Sequence, residues 1–230
     1  ETKAMEEKVS PKELCDKYID ALIKEIHLVG GQAKEKKVVT SLYFGGGTPA
    51  LVADRLGEII DAIKQHFIIT EGIGIELHPS NVTVEVLNKL KEAEVTKISI
   101  GIQSFNSKYQ SVLGRNNVDP IGLKSVLEQV KFETVSMDFI FALPNQSFED
   151  LKEDINKAFI CGANHVAIYP FIDFTFTDSK IKALDNKKKR TLLDNITNYF
   201  FEKGYERSSI WTFTNQNTKY SSMTRDNFLG

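Results

Sequence analysis

Only two of the 230 residues are cysteine, Cys15 and Cys161. Two thiols cannot form the disulfide framework of a small secreted domain, and so low a count suits a reducing compartment, so a cytoplasmic location is expected. No apolar run is long enough to cross a bilayer, and no charged-then-apolar segment of the signal type opens the sequence. An excess of either charge is also missing. Lys+Arg is 29 against 31 for Asp+Glu, net −2, which excludes the strongly basic surface that nucleic acids and acidic membranes select. Low-complexity linkers are absent too. What remains is 41% hydrophobic and 26% charged, a globular composition with length for one domain or one barrel.

Helical and strand-like stretches alternate. "SPKELCDKYIDALIKEIHLVGG" reads as an amphipathic helix: Ser10 as cap, Pro11 in the first turn, Glu13 closing a capping box, then Leu14, Tyr18, Leu22 and Ile26 as an apolar stripe ending at Gly30-Gly31. Short β-rich runs follow at 37–44, 72–79, 97–104, 134–143 and 164–172, separated by helical periods near 50–67, 81–93, 119–131 and 147–161. This alternation predicts βαβ units and a parallel sheet. A helix with Leu192, Leu193, Ile196, Tyr199 and Phe200 inward and Gly204 at its end, then a strand at 208–213, complete the pattern. The division expected is a barrel over 1–175 and the start of a C-terminal extension over 176–230.

Strand parity gives the first functional signal. Ile73, Ile75 and Leu77 fall on one face of their strand, with Gly74, Glu76 and His78 on the other. Ile98, Ile100 and Ile102 oppose Ser99, Gly101 and Gln103 in the same way, and Val135, Met137 and Phe139 oppose Ser136 and Asp138. The aliphatic faces belong against helices, so the small and polar faces line the concave side. A closed eight-stranded barrel fills its interior with bulky branched residues. Glycine, serine and single carboxylates there predict instead an open, partial barrel with a ligand in its hollow.

The run "LYFGGGTPAL" (42–51) places three glycines at the C-terminal end of a strand, where α/β folds bind ligands. Each glycine costs about 0.5–1 kcal/mol relative to alanine inside regular structure, and bare backbone beside a ligand is the usual compensation. Glu76 lies on the inward parity near this loop. Asp138 sits among Met, Phe and Ile, where a lone carboxylate needs a partner. His78 reads equally well as a ligand group or as a local hydrogen-bonding residue. Cys15 and Cys161 read as small packed hydrophobes, Trp211 as core, and "KKKR" (187–190) as a solvated helix face.

In order, "YFGGGTP" (43–49), "IELHP" (75–79), "GIQSFN" (101–106), "LGR" (113–115), "MDFIFALPNQS" (137–147), "HVAIYP" (165–170) and "TRDNFLG" (224–230) resemble the oxygen-independent coproporphyrinogen III oxidase-like branch of the radical S-adenosylmethionine (SAM) enzymes. The tail is most similar to the haem-utilisation members. The resemblance implies a truncated (β/α)6 barrel of the TIM type with a small C-terminal α/β extension. It implies that Gly46, Gly47 and Thr48 hold the amino-acid end of SAM through backbone groups and that Glu76 reaches the bound SAM. Gln103, Arg115 and Asp138 match polar SAM-site positions, used for a second SAM where members bind one, and Ile172 aligns with a backbone contact. Arg115 is suited to a bidentate grip on a carboxylate.

The implied cofactors are SAM and a [4Fe–4S] cluster. The implied partners are a tetrapyrrole, coproporphyrinogen III or haem, and an electron donor such as flavodoxin or ferredoxin; no nucleic acid and no membrane span are expected. The implied reaction is decarboxylation of propionates to vinyl groups through a 5′-deoxyadenosyl radical. Relatives of the branch instead carry haem, or attack the macrocycle as haem-degrading methyltransferases. A phosphate-binding α/β enzyme is the remaining reading, and Thr-Pro after the glycines, in place of Lys-Ser or Lys-Thr, argues against it. One departure is severe: the C-x3-C-x2-C cluster loop has no counterpart here. It would precede residue 1, so the sequence reads as a fragment that neither assembles the cluster nor cleaves SAM by itself.

Overall fold

A computed structural model describes residues 11–173 and 181–215. The chain opens on helix α1 (Pro11–Gly30) and then runs through β1 (Lys37–Val39) and β2 (Leu42–Phe44). A 3-10 segment (Pro49–Arg55) leads into α2 (Leu56–His66), β3 (Phe67–Ile69) and β4 (Ile73–Leu77). Next come α3 (Val84–Glu92), β5 (Lys97–Gln103), the short α4 (Ser107–Val112) and α5 (Pro120–Gln129). The described chain ends with β6 (Thr134–Phe141), α6 (Phe148–Ile160), β7 (His165–Pro170), α7 (Asn186–Glu202), β8 (Tyr205–Arg207) and β9 (Thr212–Asn215).

The main sheet has the order β2-β4-β5-β6-β7-β9-β8. Its first five strands are parallel, and β9 and β8 add antiparallel at the far edge. The result is an open, twisted half-barrel with helices on its convex side. Local chemistry places the joints. Ser147 caps α6 and Asp150 returns the bond to the Ser147 amide, a full capping box. Asp119 caps α5 and Pro120 fills its first turn.

Aliphatic parity delivers the core. Ile75, Ile98, Ile100, Met137, Phe139, Val166 and Ile168 are all buried, together with Leu87, Leu90, Leu127, Leu151 and Ile155 from the helices. Across the far edge Phe200 of α7 stacks on Phe213 of β9, ring centres 4.1 Å apart. The inward residues expected on α7 are buried or partly buried.

Four local expectations fail. The run 37–44 is not one strand: it breaks at Thr40-Ser41, and β1 leaves the main sheet to pair with β3. On α1, Leu14, Leu22 and Ile26 are half-buried as expected, but Tyr18 is 67% exposed and its neighbour Ile19 is buried in its place. Cys15 is exposed, not packed. The final strand is two short ones, β8 and β9, flanking residues 208–211. The proposed Ser10 cap lies outside the described residues.

Candidate active site

The concave face of the sheet carries a row of polar residues in register. Glu76 pairs with Ser99, Ser99 with Ser136, and Ser136 with His165, one inward position on each of four neighbouring strands. Asp138 lies one inward position further along β6, opposite Ala167. The parity argument thus holds: Glu76 and Asp138 point into the hollow, not into the helical layer.

Glu76 ties the glycine loop to the sheet. Its Oε2 accepts a hydrogen bond from the Gly46 amide at 3.1 Å, and its Oε1 accepts from the Tyr43 hydroxyl at 3.1 Å. A carboxylate offers about four acceptor positions; two remain for a cationic or N–H-bearing guest. Gly46 has φ +96°, a conformation that disfavours side chains whatever the space. At Gly45 the constraint is crowding: a Cβ there would lie 3.1 Å from Glu76 Oε1 and 3.2 Å from the Tyr43 ring. Gly47 and Thr48 follow at the mouth, Gly47 with open space beside it.

Asp138 is held by hydroxyls. Ser99 Oγ donates at 2.9 Å to each carboxylate oxygen, and Ser136 Oγ lies 3.3 Å from Oδ1. Desolvation pushes the Asp138 carboxyl up to about 7, the hydroxyl of Ser99 opposes this, and the negative charge of Glu76 adds to it. Beneath, His165 Nδ1 lies 2.9 Å from Ser136 Oγ, and burial holds this imidazole neutral, down to about 4.

Gln103 reaches the same hollow by an unexpected route. The pairing of β5 with β6 slips between Ile100 and Gln103, and Gln103 adopts φ +69°, rare for a non-glycine residue. This irregularity folds its side chain back over Gly101, whose absent Cβ would sit 3.0 Å from Gln103 Nε2. Bulges next to sites re-aim side chains in this way.

Arg115 lines a cavity of about 350 Å³ at the rim, together with His78, Gly101, Gln110, Leu123 and Val126. His78 Nδ1 accepts from the Ser80 amide, leaving the ring's Nε2 as donor; burial and then the charge of Arg115 lower its pKa. Gln110 is 1% exposed and its NH2 contacts the carbonyls of Ile102 and Ser104, while its Oε1 has no partner among the described residues. Ile172 is exposed after β7. The described contacts do not join Arg115 or Ile172 to the Glu76–Asp138 pair.

A model of the radical SAM superfamily matches residues 11–158. This chain belongs to that superfamily. Over 210 residues it is 30% identical to the heme chaperone HemW of Lactococcus lactis, covering 86% of this chain and 54% of that protein. An oxygen-independent coproporphyrinogen III oxidase of Synechocystis is 28% identical over 70% of this chain and 35% of its own. An anaerobilin synthase of Escherichia coli O157:H7 is 32% identical over 69% and 37%. The chain therefore spans about half the length or less of these relatives. In fold it is similar to coproporphyrinogen III oxidase HemN of Escherichia coli, with TM-score 0.78 and 20% identity over 92% of this chain and 51% of that one.

The radical SAM superfamily works with SAM and a [4Fe–4S] cluster. The residues fit the first of these: bare backbone at Gly45–Gly47, a carboxylate with open acceptor positions, and a polar hollow. They do not fit the second. The sequence has two cysteines; Cys15 is exposed on α1, and Cys161 is buried at the end of α6 with Sγ 3.3 Å from the Pro120 carbonyl. Among the described residues no group of three His, Cys, Asp or Glu side chains could hold a metal, and no described helix is long and apolar enough to span a membrane.

Sequence reasoning gave no site role to Tyr43 or His165, read Gly45 only as one of the three loop glycines, and marked Gly74 only by its inward parity. Nothing local distinguishes His165 from a structural histidine until its register opposite Ser136 is known.

Proposed function

We propose that this chain is the SAM-holding portion of a radical SAM oxidoreductase that acts on a tetrapyrrole, with oxidative decarboxylation of coproporphyrinogen III propionates as its reaction. The supporting observation is the clasp between Gly46 and Glu76. It presents a fixed amide-rich turn and an anionic acceptor at the mouth of a polar hollow, suited to the zwitterionic amino-acid end of SAM. SAM supplies, on reductive cleavage, the 5′-deoxyadenosyl radical that abstracts substrate hydrogen. The chain's own part is to hold it. Glu76 would accept from the ammonium at its open positions, the Gly46 amide staying on Glu76 while the Gly47 and Thr48 backbone would bracket the carboxylate, and Asp138 and Gln103 would offer polar groups deeper in the hollow. The thiolates such chemistry needs are not in these 230 residues.

The rim cavity supports a second subsite. Arg115 offers a charge for a carboxylate, His78 a donor, and the unpaired Gln110 oxygen a buried acceptor, above an apolar floor of Leu123 and Val126. A second SAM or a propionate fits that chemistry.

A haem-carrying role is the competing reading, favoured by the 30% identity to a heme chaperone over most of this chain. Anaerobic turnover of coproporphyrinogen III by the cluster-bearing protein, set beside a haem titration, separates them. Vinyl product with a SAM-dependent rate supports the oxidase. Stoichiometric haem binding without turnover overturns it.

A further inference from the structure

The end of β5 holds a turn that neither the strand nor the helix after it explains. The Ser104 amide donates to the Ile102 carbonyl at 2.9 Å, across a single residue, and that residue, Gln103, has φ +69°. An i→i+2 bond over a positive central φ is the γ-turn of the rare, strained kind. Glutamine gains nothing there locally, since that backbone suits glycine. Such a conformation persists only where its surroundings over-determine it.

The holding group is one buried side chain on α4. Gln110 Nε2 donates to the Ile102 carbonyl at 2.9 Å and also to the Ser104 carbonyl, so a single amide group grips the residues on both sides of Gln103. Both of its hydrogens are committed there. Gln110 is 1% exposed and its Oε1 has no partner among the described residues, so the side chain keeps this orientation at the cost of an unmatched acceptor. Asp154 fixes the chain beyond, accepting from Ser104 Oγ and the Phe105 amide. The same device recurs one strand along. After β6, Ala142 has φ +66°, and the buried Gln146 accepts from the Leu143 amide at 3.1 Å and donates to the Ile140 carbonyl at 3.3 Å.

We propose that Gln110 is a positioning residue for Gln103: it clamps the turn that folds the Gln103 side chain back over Gly101, toward the guest of the hollow. Without the clamp the turn relaxes to negative φ, and the side chain leaves Gly101. The proposal rests on the reading that the hollow takes SAM, because it is SAM that would feel where Gln103 is placed.

The test is a double-variant cycle in the cluster-bearing protein. Gln110→Met keeps the length of the side chain and removes both donors, and Gln103→Ala removes what the clamp positions. Calorimetry with SAM is expected to give a several-fold loss for each single variant and no further loss for the pair. Losses that multiply in the pair, as direct contact of Gln110 with the ligand would give, overturn the proposal. Ligand-free crystal structures of the wild type and Gln110→Met give the second readout. Gln103 is expected to leave positive φ in the variant, and a Gln103 that stays over Gly101 overturns the clamp. If Gln103 moves while SAM affinity is the same in every protein of the cycle, the clamp stands and the SAM reading of Gln103 is what fails. Should Gln110→Met not fold, urea unfolding of Gln103→Gly against Gln103→Ala decides. A higher midpoint for glycine, against its greater chain entropy, supports the held turn, and an equal or lower one overturns it.

Discussion

Replacing Asp138 by asparagine tests whether the hollow stores a cost for its ligand. In the fold, desolvation and then the charge of Glu76 hold this carboxyl at about 7, against 3.8 as its ordinary value, despite the Ser99 and Ser136 hydroxyls. A raised acid pKa means that the folded state keeps a proton the unfolded chain has released. Stability is therefore undiminished below pH 4 and falls as pH rises from about 4 through about 7. At about 1.4 kcal/mol per pKa unit, a shift of about three units amounts to about 4 kcal/mol as an upper bound. Asparagine is close in shape, and both serine hydroxyls can turn to accept from its amide. The variant therefore avoids the cost at high pH and gains nothing at low pH. His165 runs the opposite way: burial holds it at about 4, so it weakens the fold as pH drops below its ordinary value. The wild-type curve alone blends the two, and the difference between variant and wild type cancels His165. Urea unfolding at half-unit steps from pH 4 to 9 is the assay. The predicted stability difference rises from near zero at pH 4 to a plateau of about 2–4 kcal/mol above pH 8. A difference that stays flat across that range refutes the reasoning.

Other substitutions probe neighbouring parts. Gly74→Ala puts a Cβ 2.9 Å from Tyr43 Cδ2; the ring shifts, its bond to Glu76 is lost, and SAM affinity is expected to fall several-fold while unfolding changes by about 1–2 kcal/mol, measured by calorimetry and urea titration. Asp154→Ala removes a buried acceptor of Ser104 Oγ and the Phe105 amide, each at 2.7 Å; a loss of about 3 kcal/mol is expected, and a loss under about 1 kcal/mol in urea unfolding contradicts it. Burial holds the Asp154 carboxyl up at about 6 against those two donors. Arg115→Ala leaves unfolding unchanged, since no ion pair holds this side chain among the described residues, and lowers carboxylate binding at the rim cavity, read by ligand-observed NMR with coproporphyrin.

Much of this was legible because strand parity is a strict two-residue code. Ile75, Ile98 and Met137 could be placed outward, and Glu76, Ser99 and Asp138 inward, from spacing alone. Caps such as Ser147 and Asp119 are equally local. What spacing could not supply was anything depending on pairing between distant segments. The separation of β1 from β2 goes with the pairing of β1 to Phe67–Ile69 outside the main sheet, a contact between segments about 30 residues apart. The burial of Ile19 in place of Tyr18 on α1 depends on where α2 lies. Gln103 reaches the hollow only because the β5–β6 register slips, and a lone glutamine in "GIQSFN" carries no sign of positive φ. The loop between α4 and α5 carries Arg115 to the rim, beside His78, Gly101 and Gln110, a placement that the order of motifs along the chain does not give.

Isothermal titration of SAM into the cluster-bearing protein, wild type against Glu76→Ala, reaches the central claim most directly. The variant removes the acceptor of both Gly46 and Tyr43 without touching the core. The account predicts at least about a tenfold weaker affinity, about 1.4 kcal/mol, with the circular dichroism spectrum retained. Equal affinity in the two proteins would place SAM somewhere other than this hollow.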